Sequence, residues 1–158
     1  MELNNKLIGH NKLFNQLVEL YDKNILPNKI LLSGKKGIGK FTLINHFLSY
    51  IYDKDNYDLK NRSINNQTQF YNKYLNNVFS NIIYLSGDNF KNIKIEDIRD
   101  LKSKILKRTM YKKERFIILD DIELFNINSL NALLKIIEEP LTNNYFILIN
   151  SKTKPLIE

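Results

Sequence analysis

Short apolar runs, separated by stretches of helical spacing, dominate the hydrophobic pattern of this chain. Four runs have the length and composition of strands that are buried on both faces. They are 29–33, 81–86, 115–120 and 145–150. Because strands of this kind must be covered by helices, the pattern predicts an α/β fold with a parallel sheet.

The segments before and between the strands carry apolar residues at helical intervals. In the first of them, 11–23, Leu13, Leu17 and Leu20 define one face. The same spacing predicts helices over 40–52, 95–107 and 127–139, and a short helix over 68–79. The polar, Asn-rich segment 53–67 has no clear period, so we interpret it as a flexible excursion.

The helix predicted over 127–139 is followed by Pro140, which cannot donate the backbone hydrogen bond that would continue it. Its apolar stripe, at i, i+3, i+4 and i+7, is Leu130, Leu133, Leu134 and Ile137. We therefore expect Leu134 in the core, where truncation to alanine would cost about 2–5 kcal/mol. Glu138 and Glu139 lie at the unfavourable end of the helix dipole. Either they are ordinary solvated residues, or they meet a basic or donor-rich surface.

Composition places the chain among single-domain globular proteins. It has 158 residues, 43% of them hydrophobic, which is enough for a real core. No apolar run approaches the length of a membrane span, and Met1–His10 does not have the pattern of a signal peptide. The absence of cysteine excludes disulfides and a cysteine-based zinc module. These observations predict a cytoplasmic protein that does not associate with membranes.

The net charge of +7 is concentrated in one region. Residues 99–115 hold eight basic and two acidic side chains, a local charge of +6. Such a cluster can bind nucleic acid phosphates. The alternative, which we favour, is the solvated face of an amphipathic helix.

A glycine-rich loop, GKKGIGK at 34–40, lies between a predicted strand and a predicted helix. Glycines at positions 34, 37 and 39 allow several backbone N–H groups to point at one anion, and Lys40 would reach the phosphates of a nucleotide. The next residue, which should carry a hydroxyl that ligates Mg²⁺, is Phe41. Thr42 is displaced by about 100° around the helix. The loop thus favours a weak ATP/Mg²⁺ site or a structural relic over a competent ATPase.

Two carboxylates, Asp120 and Asp121, lie at the end of the third predicted strand. Asp120 has the position of the acid on the Mg²⁺ side of a P-loop site. Asp121 has the position of the catalytic acid, where glutamate is usual, and its side chain is one methylene shorter. Glu123 matches a further acid of the motif, with capping or solvation as its alternative role.

Together these segments resemble the clamp-loader branch of the AAA+ ATPases, which opens sliding clamps during DNA replication. The matching segments are Ile8-Gly9-His10, Leu26–Leu32, Gly34–Thr42, IEDIRDL at 95–101, NALLKIIEEP at 131–140 and the pair Asn150 and Ser151. The resemblance implies a P-loop NTPase fold, a three-layer sandwich with strand order 1-4-3-2. It also implies that Ile8 and Gly9 lie near the adenine and that Asn150 and Ser151 occupy a polar sensor position.

Within that branch, the degenerate site makes the chain more similar to a stator-like subunit than to the hydrolysing gamma/tau motor. The implied partners are the gamma/tau and delta subunits of the DNA polymerase III holoenzyme and, through the assembled complex, the sliding clamp and primer-template DNA. A fifth strand, a helical lid, an arginine-bearing segment and a helical collar are expected after Glu158, so residues 1–158 would form an incomplete AAA+ domain. An active motor and a DNA-binding module remain as alternatives.

Overall fold

The computed structural model describes residues 4–87, 95–106, 114–138 and 143–151. Five helices and four strands alternate along these ranges. The helices are α1 (Asn11–Asp22), α2 (Lys40–Tyr52), α3 (Gln69–Leu75), α4 (Ile95–Leu106) and α5 (Ile127–Glu138). The strands are β1 (Lys29–Ser33), β2 (Ile82–Ser86), β3 (Arg115–Asp120) and β4 (Asn144–Asn150).

All four predicted strands and all five predicted helices are present, most with ends within one residue of the prediction. The main difference is α3, which ends four residues before the end of the predicted range 68–79. Thr68 caps it, because its side-chain oxygen accepts a hydrogen bond from the N–H of Tyr71. Pro140 and Glu139 lie outside the described residues, so the predicted end of the last helix at the proline is not described.

Contacts divide the chain into two compact units, Met1–Leu26 with Gly39–Phe79 and Pro27–Ile38 with Ser80–Glu158. The second unit contains the sheet. Its strands are all parallel, in the order β1-β4-β3-β2, which confirms the predicted 1-4-3-2 order. In the register, Ser33 aligns with Asn150 and Ser86 with Asp120, so the carboxyl ends of the strands share one edge.

Helices α4 and α5 build the core of this second unit against β3 and β4. Ile98 and Leu101 of α4 and Leu133 of α5 are almost completely buried, together with Ile117 and Phe146 of the sheet. Two positions differ from the prediction that residues 130, 133, 134 and 137 form the buried stripe. Leu134 is 48% exposed, whereas Ile136 packs against the core. The expectation that Leu134 is a core residue is therefore wrong.

The first unit contains α1, α2 and α3. Every residue of α2 from Leu43 to Ile51 is buried. A cluster of aromatic rings extends from it. The ring centroid of Phe79 lies 4.9 Å from that of Tyr52 and 5.0 Å from that of Phe70. These edge-to-face pairs stabilise the unit beyond the burial of their area.

The segment 53–67 has more structure than the predicted flexible excursion. It begins with a short 3₁₀ turn, Lys54–Asn56. It then folds back, because Asp58 and Ser63 exchange backbone hydrogen bonds of 3.0 and 3.1 Å. Two apolar residues of the segment, Tyr57 and Ile64, are buried and anchor it. Across the described residues of both units, no helix has the length and apolarity needed to cross a membrane.

Candidate functional site

The carboxyl edge of the sheet collects the polar residues that follow the strands. Asp120 ends β3 and Asp121 follows it, Asn150 ends β4 and Ser151 follows it, and Gly34 follows β1. Gly34 donates its N–H to the carbonyl of Asn150 over 3.1 Å, so the start of the glycine-rich loop is joined to the end of β4. Parallel pairing thus brings residues from distant parts of the sequence to one edge.

Both carboxylate oxygens of Asp120 accept hydrogen bonds. The hydroxyl of Tyr84 donates to Oδ2 over 3.0 Å, and the backbone N–H of Asp121 donates to Oδ1 over 3.0 Å. Burial, followed by the neighbouring Asp120 carboxylate, raises the pKa of Tyr84 well above its usual range. Tyr84 is therefore a neutral donor at every physiological pH.

Asp121 is 7% exposed and has partners on both sides of its carboxylate. The hydroxyl of Ser151 donates to Oδ1 over 2.7 Å. The ammonium group of Lys36, in the glycine-rich loop, lies 3.8 Å from Oδ2. Lys36 is more than half exposed, so this ion pair contributes at most about 1 kcal/mol. The Asp121 carboxylate is thus held mainly by its hydrogen bond to Ser151, at the carboxyl edge of the sheet.

Glu123 belongs to the same group of residues. Its Oε1 accepts the backbone N–H of Ser151 over 3.0 Å, and both residues are buried. Of the two roles left open for this acid, the contact supports a structural one, because the carboxylate holds the chain as it leaves β4. Ser151 therefore connects two acids, one through its backbone and one through its side chain.

The backbone conformation at Asp121 depends on Gly87, a residue that belongs to no motif recognised in the sequence. A Cβ on Gly87 would lie 2.6 Å from the carbonyl oxygen of Asp121 and 2.8 Å from Cβ of Leu124. Asp121 itself has a left-handed φ of 50°, a conformation that aspartate tolerates better than most residues. Only glycine after β2 leaves room for this turn after β3.

The glycine-rich loop has the backbone conformation that its sequence predicts at two of its three glycines. Gly37 has a φ of 85° and Gly39 a φ of 91°, values that side-chain-bearing residues rarely adopt. The helix α2 begins at Lys40, which is buried. Phe41 and Thr42 are consecutive residues of this helix, so their side chains point in different directions, as expected.

The Ile8-Gly9-His10 segment approaches the loop in the first unit. A Cβ placed on Gly39 would lie 3.6 Å from the imidazole of His10. His10 and Gly9 both have positive φ, which turns the chain sharply just before α1. Ile8 is 84% exposed. The predicted contact of Ile8 and Gly9 with an adenine stays a prediction.

The predicted Mg²⁺ site at Asp120 stays a prediction. Phe41 supplies no oxygen, and both oxygens of Asp120 already accept hydrogen bonds. Within the described ranges, no group of three or more acidic or histidine side chains could hold a metal ion. Backbone N–H groups and lysines can still hold phosphate without a metal.

The basic region 99–115 is not a single surface. Arg115 is 3% exposed, and its Nη1 donates to the carbonyls of Lys104 and Ile105 over 3.0 and 2.7 Å. It therefore satisfies the last turn of α4, where positive charge is favourable. Its inclusion in a surface cluster, as part of a solvated helix face or as a phosphate-binding group, is therefore wrong. Arg99, Lys102 and Lys104 are exposed, and residues 107–113 lie outside the described ranges.

Comparison with known proteins gives a consistent result. Residues 9–158 match the family model described as DNA polymerase III, delta subunit. The chain is 29% identical over 148 residues to the DNA polymerase III subunit delta' of Buchnera aphidicola subsp. Schizaphis graminum. It is 26% identical over 145 residues to the subunit of that name from Buchnera aphidicola subsp. Baizongia pistaciae. These matches cover 88% and 87% of the chain but only 42% of each relative.

A solved structure shares the fold. The gamma subunit-related DNA polymerase III protein of Thermotoga maritima superimposes with a TM-score of 0.58 at 17% identity. The match covers 88% of this chain and 39% of that protein. The likeness agrees with the strand order and with the P-loop architecture.

Proposed function

The chain belongs to the family described as DNA polymerase III, delta subunit, and from that premise we propose that it acts as the delta-prime, stator-like subunit of a bacterial clamp loader. In this role it helps to assemble the machine that places the sliding clamp on primer-template DNA. Its partners are the gamma/tau and delta subunits. The two curated relatives that carry the delta' name support the assignment.

The observation that carries the stator role is the engagement of Asp121. A catalytic acid in a P-loop enzyme must be available to orient the attacking water. Here Ser151 and Lys36 bind the Asp121 carboxylate from two sides. Together with Phe41 in place of a hydroxyl residue, this arrangement favours a site that holds phosphate weakly and does not turn it over.

ATP hydrolysis by the purified chain is the first test. We expect no hydrolysis above a Lys40→Ala control, and weak nucleotide binding that Mg²⁺ does not strengthen. Phe41→Thr should restore Mg²⁺-dependent binding more than turnover, because Asp121 remains bound to its own partners. Hydrolysis by the unmodified chain that disappears in Lys40→Ala would identify a motor and refute the proposal.

Assembly is the second test, and it uses the full-length protein. Mixed with gamma/tau and delta, it should form a stable complex on size-exclusion chromatography, and that complex should load a clamp onto primed DNA. Lys40→Ala should leave assembly and loading intact, because hydrolysis would occur in the gamma/tau subunits. Loss of loading in this variant, with assembly retained, would show that the site is active.

A further inference from the structure

An ion pair between Lys36 and Asp121 joins the glycine-rich loop to the residue after β3. The ammonium group of Lys36 lies 3.8 Å from Oδ2 of Asp121. Residues 34–38 of the loop, Asp121 and Ser151 all belong to the second unit, so the contact lies within one compact body. A loop whose glycines allow N–H groups to point at an anion thus directs one of its own cations at a carboxylate.

The two partners of this ion pair differ in their freedom to move. The Asp121 carboxylate is buried, and it accepts the Ser151 hydroxyl at 2.7 Å. The left-handed backbone of Asp121 packs tightly against Gly87. Lys36, in contrast, is more than half exposed and carries its charge on a flexible four-carbon stem. The lysine is therefore the partner that can turn to another anion.

A polyphosphate group needs positive charge around it, and in P-loop proteins Mg²⁺ supplies much of that charge. In this chain Phe41 offers no oxygen at the position where a metal-ligating hydroxyl is expected. Lysine can supply charge without a metal, because its ammonium group binds phosphate as a point charge. Lys35 and Lys36 are both exposed residues of the loop, so the loop carries its own cations for this purpose.

We propose that Lys36 exchanges between two anions: it pairs with Asp121, and it neutralises a di- or triphosphate group bound at the loop in place of Mg²⁺. The carboxylate and the phosphate compete for one ammonium group. Asp121 therefore weakens the binding of the anion. This inference rests on the proposed phosphate-holding role of the loop, but not on the assembly of a clamp loader.

Isothermal titration calorimetry with inorganic triphosphate, at low salt and with EDTA, is the primary test. Asp121→Asn should tighten binding about two- to fivefold, the size expected when a weak, partly exposed ion pair no longer holds the cation. Asparagine retains an oxygen for the Ser151 hydroxyl and tolerates a left-handed backbone, so it removes the charge with little change in structure. Lys36→Gln should weaken binding.

Direct repulsion between Asp121 and the phosphates would also make Asp121→Asn tighten binding, and the double variant separates the two effects. Repulsion acts with or without Lys36, whereas the exchange requires it. The gain in affinity from Asp121→Asn should therefore be smaller by a factor of about two or more in the Lys36→Gln background. Equal gains in the two backgrounds would overturn the proposal.

Lys35→Gln is the matched control, because it removes the same charge from the adjacent exposed residue of the loop. In that background the gain from Asp121→Asn should keep its full size. If the gain shrinks as much as it does with Lys36→Gln, the effect is general electrostatics and the proposal fails. Circular dichroism should show that all variants are folded.

The native chain supplies a measurement that needs no variant. Mg²⁺ that is chelated by the triphosphate takes over the charge that Lys36 would neutralise, so saturating Mg²⁺ should weaken binding. Stronger binding in Mg²⁺ would show that a metal supplies the charge, and it would overturn the proposal.

ATP extends the test to nucleotides. It should show the same dependence on Lys36 as inorganic triphosphate, because the exchange concerns only the phosphates. If neither anion binds the native chain or Asp121→Asn, the exchange is refuted. Assembly with gamma/tau and delta would still test the clamp-loader role separately.

Discussion

Ser151 Oγ donates a 2.7 Å hydrogen bond to Oδ1 of Asp121, which joins the residue after β4 to the residue after β3. Both side chains are buried, with 6% and 7% exposure. The backbone N–H of the same serine binds Glu123. One residue therefore holds two acids in place, and its hydroxyl compensates Oδ1 of the buried Asp121 carboxylate for lost hydration.

Removing this hydroxyl should destabilise the chain. Ser151→Ala is expected to lower the free energy of unfolding by about 1–3 kcal/mol, because a buried carboxylate loses a donor. Ser151→Thr, which retains the hydroxyl, is the control and should cost less. In a double-mutant cycle with Asp121→Ala, urea unfolding should give a coupling energy of at least about 0.5 kcal/mol. Additive effects would show that the contact is not energetically significant.

Arg115 gives a second stability prediction. Arg115→Ala removes two hydrogen bonds to the carbonyls of Lys104 and Ile105 and should cost at least about 2 kcal/mol. Arg115→Lys retains the charge but not the planar donor group, so it should recover only part of this loss. Lys104→Ala changes an exposed side chain and should alter stability by less than about 0.5 kcal/mol. Equal effects of Arg115→Ala and Lys104→Ala on thermal unfolding would contradict the capping role.

Two adjacent leucines of α5 should respond differently to truncation. Leu133 is 1% exposed, and Leu133→Ala should cost about 2–5 kcal/mol through lost burial and a residual cavity. Leu134 is 48% exposed, so Leu134→Ala should cost about 1 kcal/mol or less. Urea unfolding of the two variants makes the comparison directly. If Leu134→Ala cost more than Leu133→Ala, Leu134 would belong to the buried stripe of α5, as the helical spacing predicts.

His46 should make stability sensitive to mild acid. It is fully buried, and burial lowers its pKa below the ordinary value of 6.5, against the smaller opposing effect of the Asn4 carbonyl. Nε2 must carry a proton to bind that carbonyl at 2.9 Å, which leaves Nδ1 to accept from the Tyr57 hydroxyl at 3.1 Å. The neutral ring therefore satisfies both contacts.

The direction of the pH effect follows from proton linkage. Above pH 6.5 the ring is neutral in the folded and the unfolded chain, so its full contribution to stability is present. As the pH falls below that value, the unfolded chain takes up a proton more readily, and stability decreases until the folded pKa is passed. Urea midpoints should fall across this range in the native chain and less steeply in His46→Gln. If the urea midpoints of the native chain and of His46→Gln fell with pH at the same slope, His46 would be excluded as the source of the pH dependence.

The elements of this fold could be predicted because their signals are local. The strand Lys29–Ser33 and the helix Lys40–Tyr52 have the predicted bounds, since each is set by an apolar run or period and by the glycines between them. The order of the strands could not be predicted from local signals. It came from the resemblance to clamp-loader proteins, because no local pattern states that β4 lies between β1 and β3.

Errors and omissions arose where a side chain acts at a distance along the sequence. The sequence alone groups Arg115 with the surface cations, because its acceptors belong to α4, about ten residues earlier. Tyr84 looked like one more apolar residue of a buried strand, yet it binds Asp120. No sequence pattern identifies Gly87 as necessary, since glycine is required there by the nearby backbone carbonyl of Asp121. Leu134 was misplaced because helical spacing defines a stripe but not its rotation towards the sheet.

The place of β1 in the sheet has a consequence for biosynthesis. Lys29 aligns with Phe146, so the first strand of the described sheet to be synthesised pairs with the last one. Among the described residues β1 has no other strand partner. Until Asn144–Asn150 has emerged, the backbone groups of Lys29–Ser33 have no neighbour in the sheet, and this edge is exposed to other chains. A pause in translation before β4 would therefore prolong the interval in which this strand edge has no partner within its own chain.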